Sequence, residues 1–227
     1  MTDFKDRKYI ILTGNYGSGK TEIALNLSLF FARSGETTLV DLDIVNPYFR
    51  SAEKAGEMRA AGIRLLMPTF ALTTVDIPAL PAEIQSVFEV PSEMTVFDVG
   101  GDDTGAAALG RYYPSFMSRR EKVFSALVIN TMRPMTENAE DITELAGRIA
   151  ARGRIGFDAL INNTNLAHQT EPYMVEEGED KVLQAAKKMN IHTVYTTGMK
   201  NVLERCSLKT PKIIIERKML PEWMEEN

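Results

Sequence analysis

The chain has 227 residues and a single cysteine, Cys206. One thiol cannot form a disulfide within the chain, and it excludes the cysteine-pair motifs that hold metals within one chain. Long apolar stretches are also missing, since no run approaches the roughly 18–20 residues that a membrane-spanning helix needs. The polar N-terminus is not typical of a signal peptide. We therefore expect a cytoplasmic protein without membrane insertion.

Clusters of positively charged residues are also missing from the sequence. The chain contains 26 Lys and Arg against 31 Asp and Glu, which gives a net charge of −5. Proteins that bind nucleic acid through its backbone need clustered basic residues that displace counterions, so we expect no nucleic-acid partner. Hydrophobic residues make up 44% of the chain, enough for a substantial core. No repeat or Pro/Gly/Ser-rich linker divides the sequence, and we expect one domain over residues 1–227.

Short apolar runs alternate with amphipathic stretches along the chain. The runs that we expect to form strands are residues 9–13, 38–42, 63–67, 94–98, 126–130, 159–162, 193–196 and 213–215. Helical patterns lie between most of them, for example at 136–151 and 180–189. This alternation predicts the α/β class, with a doubly wound and mainly parallel sheet that is covered by helices on both faces.

The residues between the first run and the first helical pattern fit the phosphate-binding loop G-x-x-x-x-G-K-[ST] without a mismatch. They are Gly14, Asn15, Tyr16, Gly17, Ser18, Gly19, Lys20 and Thr21, and Glu22 follows in the helix. In such loops, backbone N–H groups and a helix N-terminus surround phosphate oxygens. We expect Lys20 to reach the β- and γ-phosphates and the Thr21 hydroxyl to ligate Mg²⁺. The sequence therefore predicts a protein that binds a nucleoside triphosphate through residues 14–22.

Acidic residues end two of the predicted strands. Asp43 follows one strand, and Asp98 precedes Val99, Gly100 and Gly101 at the end of another. Carboxylates at strand ends can hold Mg²⁺ beside a triphosphate, and Gly101 can bring a backbone N–H close to the γ-phosphate. We expect function from Asp43 and Asp98. Asp41 is interpreted as a strand-end carboxylate that makes local hydrogen bonds.

Together, the loop, the segment Asp41-Leu42-Asp43 and the segment Asp98-Val99-Gly100-Gly101 resemble the MinD/ParA/CobQ-type ATPases of the SIMIBI class of P-loop proteins. The resemblance implies a three-layer fold whose sheet has seven or eight strands, with ATP and Mg²⁺ as ligands. It implies that Asp43 positions or activates the attacking water, so that Lys20 and Asp43 are the catalytic residues. It also implies that Thr21, Asp43 and Asp98 form the metal site, Asp98 acting through water.

One position departs from the pattern of that family. Many members carry a signature lysine early in the loop, and this lysine reaches across a nucleotide-sandwich dimer to the partner's phosphates. Asn15 occupies its place here, and Tyr16 replaces the first glycine of a pair. An asparagine can donate a hydrogen bond, but it cannot neutralise phosphate charge. The sequence therefore leaves open whether the chain forms a homodimer.

A run of polar residues, Asn162, Asn163, Thr164 and Asn165, closes a later strand at the place where this class reads the base. Guanine-specific relatives use N-K-x-D there, and the Asp accepts hydrogen bonds from guanine. This chain has an asparagine in place of the acid, and its amide both donates and accepts, which suits the mixed edge of adenine. We expect ATP rather than GTP, with Asn162 and Asn163 at the nucleotide. An ordinary Asn-rich turn is the alternative.

Three functions fit these motifs. The first is a slow ATP hydrolase that acts as a nucleotide-dependent switch for a protein partner. The second is an ATP-dependent small-molecule kinase or ligase of the dethiobiotin-synthetase or cobyrinate-amidase type, relatives that also lack the signature lysine. The third is a nucleotide sensor without turnover. Arg50, Arg111, Arg133 and the irregular segments 46–50 and 68–81 are candidates for contact with phosphate or substrate, and ordinary surface positions are the alternative.

Overall fold

The computed structural model describes residues 4, 6–43, 55–67, 82–101 and 103–219. Two of the segments that the sequence marks as candidates for function, 46–50 with Arg50 and 68–81, lie outside the described residues.

Eight strands form one sheet, and every neighbouring pair in it is parallel. The strands are β1 (Tyr9–Thr13), β2 (Thr37–Leu42), β3 (Arg64–Leu66), β4 (Met94–Val99), β5 (Val123–Ile129), β6 (Ala159–Asn162), β7 (Thr193–Gly198) and β8 (Lys212–Ile214). Their order across the sheet is β3-β2-β4-β1-β5-β6-β7-β8. The predicted α/β fold with a parallel sheet of seven or eight strands is confirmed.

Helices connect most of the strands. They are α1 (Lys20–Ala32), α2 (Ala55–Ala60), α3 (Ala82–Glu89), α4 (Asp103–Arg111), α5 (Tyr113–Met117), α6 (Ala139–Gly153), α7 (Pro172–Lys188) and α8 (Lys200–Leu203). The helix predicted over 180–189 begins eight residues earlier, because Pro172 in the first turn is compatible with a helix start. None of the described helices is long and apolar enough to cross a membrane.

The strand residues alternate between two helical layers. Ile10 and Leu12 of β1 pack in a cluster with Ile23 of α1. Ile11 points to the opposite face, in a cluster with Phe116 of α5. Burial on both faces explains why these strands are continuous apolar runs in the sequence.

The strand order places β1 between β4 and β5. The early strands lie on one side of β1 and the later strands on the other, so its carboxyl end is the point where the order of the sheet reverses. Doubly wound sheets bind ligands in the crevice at such a point. The glycine-rich loop leaves β1 at this edge, and the segments that follow β2, β4, β5 and β6 begin at the same edge.

Candidate functional site

The loop between β1 and α1 depends on two glycines with left-handed backbone conformations. Gly17 has φ of 74° and Gly19 has φ of 84°, values that side chains with a Cβ rarely adopt. Gly19 is the N-cap of α1, so the helix begins at Lys20. The first N–H groups of a helix have no partner within the helix, and they form an anion site when a loop leads into them in this way.

Asn163, which follows β6, contacts the backbone of the phosphate loop. Its Nδ2 donates to the Ser18 carbonyl at 2.7 Å, and its Oδ1 accepts from Thr197 Oγ1 at 2.8 Å. A Cβ at Gly19 would lie 2.2 Å from Asn163 Nδ2, so the amide fits only beneath a glycine. Asn163 therefore positions the phosphate loop, in addition to its predicted place at the nucleotide.

Lys20 is paired with the predicted catalytic carboxylate. Its Nζ lies 3.0 Å from Asp43 Oδ2, and the two side chains are only 7% and 14% exposed. Burial favours the neutral amine, but the carboxylates of Asp98, Asp43 and Asp41 together outweigh it and raise the pKa of Lys20. Lys20 is therefore charged at neutral pH. Asp41 Oδ1 accepts from Asp43 N at 2.9 Å, which confirms its interpretation as a residue with local hydrogen bonds.

Thr21 and Asp98, two predicted metal ligands, contact each other. Thr21 Oγ1 donates to Asp98 Oδ2 at 2.5 Å. The second oxygen, Asp98 Oδ1, is buried and has no hydrogen-bond partner among the described residues. Burial raises the pKa of Asp98 to about 6, with Asp43 acting in the same direction and Lys20 and Thr21 opposing it. The ionised carboxylate is therefore less favoured than that of an ordinary aspartate, and a cation beside Oδ1 would stabilise it.

These oxygen atoms fit a hard divalent cation. Mg²⁺ prefers oxygen ligands and is commonly held by one or two carboxylates together with substrate phosphates and water. Thr21 and Asp98 supply a hydroxyl and an unpartnered carboxylate oxygen side by side. In the described part of the chain, no group of three or more His, Cys, Asp or Glu could hold a metal. A cation here would therefore need ligands from the phosphates and from water.

Gly101 packs directly on the phosphate loop. A Cβ at this position would lie 1.8 Å from the carbonyl oxygen of Gly14 and 2.9 Å from Cα of Asn15. Only a glycine allows the loop after β4 to approach the loop after β1 this closely. The contact fixes the distance between the Asp98 strand end and the phosphate loop.

The loop and the strand ends open into a cavity of about 400 Å³, a volume within the range of small-molecule sites. One end is polar and includes Lys20, Thr21 and Asp43. The other end is apolar, and its lining residues are Val175, Met199, Val202, Ile215 and Met219. A pocket with a charged end and an apolar end can take the phosphates and the base of a nucleotide.

Residues 215–219, the C-terminal wall, close one side of this cavity and are held by α1. The Glu22 carboxylate accepts hydrogen bonds from the backbone N–H groups of Lys218 and of Met219, the latter at 3.1 Å. Asn26 makes two further bonds of 2.8 Å to the backbone of the wall. Burial raises the pKa of Glu22, and these backbone donors partly offset it. Glu22 lines the cavity as expected, but its carboxylate holds the wall.

Asn162 lies beneath the cavity, and its predicted contact with the nucleotide is wrong. The residue is fully buried at the end of β6. Its Nδ2 donates to the Val175 carbonyl at 3.1 Å, and its Oδ1 accepts from the N–H and the hydroxyl of Thr164 at 3.2 and 2.7 Å. The side-chain amide of Asn162 therefore stabilises the turn after β6. Successive side chains of a strand point to opposite faces of the sheet, and the side chain of Asn162 points into the protein interior.

A second loop, residues 130–136, rests on the phosphate loop. Asn15 Nδ2 donates to the Pro134 carbonyl at 2.9 Å, and Asn130 Nδ2 donates to the Gly17 carbonyl at 3.4 Å. The side chain that replaces the signature lysine is therefore engaged within its own chain. Sequence reasoning missed Asn130, because an asparagine at the end of a strand carries no distinctive signal.

The three arginines that the sequence marks as candidates for phosphate contact differ in their positions. Arg133 lines the cavity. Arg111 is an exposed residue at the end of α4 and is not among the residues that line the cavity. Arg50 lies outside the described residues. Of these three arginines, only Arg133 lines the cavity in the part of the chain that the structure describes.

Sequence comparison finds a distant relative. No protein-family model matches the chain. The chain is 26% identical over 211 residues to the ATPase ARSA1 of Chlamydomonas reinhardtii, in a match that covers 86% of this chain. The same match covers 26% of the relative, so the chain spans about a quarter of that protein's length.

Solved structures share the fold over most of the chain. FtsY from Mycoplasma mycoides superposes with a TM-score of 0.54 at 13% identity, covering 82% of this chain and 58% of FtsY. A nucleotide-binding protein from Archaeoglobus fulgidus, solved with ADP, superposes with a TM-score of 0.50 at 14% identity, covering 89% of this chain and 86% of that one. With its parallel sheet and its glycine-rich loop, the chain has the fold of SIMIBI-type P-loop NTPases.

Proposed function

We propose that the chain binds Mg²⁺-ATP and hydrolyses it slowly, as a nucleotide-dependent switch for a protein partner, and that residues 1–227 act as one nucleotide-binding domain. The observation that carries this proposal is the convergence of two polar pairs on one loop. Lys20 lies 3.0 Å from Asp43, and Thr21 lies 2.5 Å from Asp98. A lysine, a hydroxyl and two carboxylates at the mouth of a glycine-rich loop are the groups that phosphoryl transfer from a nucleotide requires.

Asp43 has two tasks in this proposal. Without nucleotide it holds the Lys20 ammonium in a largely buried ion pair. When phosphate oxygens take over Lys20, the Asp43 carboxylate is released beside them. A carboxylate in that place can orient a water molecule and accept its proton.

Thr21 and Asp98 would hold Mg²⁺, which neutralises charge on the phosphates when bound. The Asp98 carboxylate would be ionised in that state and could keep the hydrogen bond from the Thr21 hydroxyl. Mg²⁺ binding therefore competes with a proton at Asp98, whose pKa is raised to about 6 by burial.

This competition predicts a pH dependence. Well above pH 6, Asp98 is ionised and the contribution of Mg²⁺ to ATP affinity should be fully present. As the pH falls through 6, the carboxyl group takes up a proton, and at pH 5 we expect the Mg²⁺-dependent gain in affinity to be about tenfold smaller than at pH 8. Titrations of ATP with and without Mg²⁺ from pH 5 to 8 would measure it. A gain that stays constant in wild type, or one that keeps the same pH profile in Asp98→Asn, would contradict this role.

The lining of the cavity supports the proposal that the bound base is adenine rather than guanine. Among the described residues that line it, the carboxylates are Glu22 and Asp43, and both are engaged, with the C-terminal wall and with Lys20. Neither can easily serve as the carboxylate that accepts hydrogen bonds from guanine. Asn165 also lines the cavity, with its Nδ2 donating to the Asn163 carbonyl at 2.7 Å and its Oδ1 accepting from Ala167 N at 3.2 Å. Its amide keeps one further donor and one further acceptor.

Phosphate release across a range of protein concentrations tests the proposal. We expect slow, Mg²⁺-dependent release from ATP that exceeds release from GTP. Specific activity that rises with concentration would indicate hydrolysis across a homodimer, and constant activity would indicate a self-sufficient chain. ATP binding without release under any of these conditions would contradict the hydrolase and favour a sensor.

A small-molecule kinase or ligase is the second candidate. The observation that favours it is the hydrogen bond of Asn15 to Pro134 within the same chain, since the position of the signature lysine then contributes nothing to a partner subunit. Incubation with labelled ATP and a metabolite extract distinguishes the two candidates. Label that moves to a metabolite rather than to water would support the kinase or ligase.

A further inference from the structure

The guanidinium of Arg133 lies against the backbone of the phosphate loop. A Cβ added at Gly17 would lie 3.0 Å from Arg133 Nε and 3.5 Å from its Cζ. A side chain at residue 17 would crowd the guanidinium, so the glycine leaves room for the arginine to lie against the loop. Both residues also line the nucleotide cavity.

The N–H donors of the Arg133 guanidinium are available to a ligand. Its side chain is exposed and makes no hydrogen bond or ion pair with any described residue. The other cations among the described residues that line the cavity are engaged: Lys20 is paired with Asp43, and Arg217 has an interaction of its own. A guanidinium presents five N–H donors in a planar fork that matches phosphate oxygens.

The backbone that carries Arg133 is fixed in place. Its N–H donates to the Asn130 carbonyl at 3.1 Å, and its own carbonyl accepts from Thr136 Oγ1 at 3.0 Å. The neighbouring Pro134 carbonyl accepts from Asn15 in the phosphate loop at 2.9 Å. The backbone of residue 133 is thus fixed beside the phosphate loop, and rotation about the side-chain bonds is enough to bring the guanidinium to a bound phosphate.

The charge balance of the site calls for another cation. Lys20 contributes one positive charge and the proposed Mg²⁺ two, but the carboxylates of Asp43 and Asp98 already oppose part of this charge. A triphosphate adds several negative charges, and Asn15 has no charge to offer. We propose that Arg133 binds the terminal phosphate of the nucleotide within its own chain and supplies the positive charge that Asn15 lacks.

This inference rests on the proposed nucleotide site, so its test compares ATP with ADP. We expect Arg133→Ala to reduce the preference for a non-hydrolysable ATP analogue over ADP about tenfold, as the loss of one charge-assisted hydrogen bond implies. Affinity for ADP should stay within about threefold. Phosphate release should fall about 100-fold, the usual effect of removing one donor that stabilises charge in the transition state. Arg133→Lys should recover part of both losses, and Arg133→Gln should recover neither.

Arg148 provides the matched control. It is an exposed arginine of α6 that does not line the cavity, so Arg148→Ala removes the same surface charge elsewhere. The inference is overturned if Arg133→Ala keeps the wild-type preference for triphosphate, or if it loses ATP analogue and ADP affinity equally. If wild-type protein binds no nucleotide, the proposed function itself is refuted. If wild-type protein binds nucleotide without hydrolysing it, the preference for the ATP analogue over ADP decides the inference.

Discussion

Replacing Asp43 with alanine is expected to lower phosphate release from ATP at least about 100-fold, the usual range for loss of a group that positions or deprotonates the nucleophile. ATP affinity should be unchanged or higher. The reason is that Asp43 lies 3.0 Å from Lys20 and competes with phosphate for the ammonium. Single-turnover phosphate release and equilibrium ATP binding, measured on the same preparation, separate the two effects.

Two further variants sharpen this prediction. Asp43→Asn keeps the shape of the side chain but removes its basicity, so it should match the alanine variant in hydrolysis. Asp180→Ala removes a largely exposed carboxylate that pairs with Lys209 away from the cavity, and it should hydrolyse like wild type. Hydrolysis that survives Asp43→Ala would refute the catalytic role of this residue.

Replacing Gly101 with alanine is expected to disrupt the site without touching a charged group. The added Cβ would lie 1.8 Å from the Gly14 carbonyl, and backbone on both sides leaves no flexible side chain to move away. The loop after β4 and the phosphate loop must therefore separate. We expect at least about a tenfold loss of ATP affinity and a lower melting temperature, since overpacking a tight contact costs about 1–3 kcal/mol.

Gly147 gives the control for that substitution. It lies on the exposed face of α6, where a Cβ would meet nothing within 4 Å. Gly147→Ala should stabilise the protein by roughly 0.5–1 kcal/mol, because alanine is the better helix former, and it should leave nucleotide affinity unchanged. Thermal denaturation and ATP titration of both variants measure the contrast. Equal ATP affinity for Gly101→Ala and wild type would show that the contact between the two loops does not shape the site.

The fold was predictable because its signal is local. Strands such as β5 are buried on both faces and so appear as largely apolar runs, while α6 has a polar face. The polar end of the cavity was predictable for a related reason, since its residues from Gly14 to Thr21 are contiguous. Asp43 directly follows β2, and Asp98 is the penultimate residue of β4, a parallel strand that ends at the same edge of the sheet.

The apolar end of the cavity could not be predicted in the same way. Its residues come from α7, the segment after β7, α8 and the C-terminal wall, and each is an ordinary hydrophobic residue in its local context. Glu22 and Asn162 show the same limit. Their residue types suit a nucleotide site, but only the fold reveals that Glu22 holds the C-terminal wall and that Asn162 holds the turn after β6.

The central claim is that the loop from Gly14 to Thr21 binds a nucleoside triphosphate, and calorimetric titration of Mg²⁺-ATP tests it most directly. We expect saturable binding of one ATP per chain for wild type. Binding should be lost for Lys20→Ala, with circular dichroism showing that the variant is folded. No saturable binding by wild type, or equal binding by folded Lys20→Ala, would contradict the account.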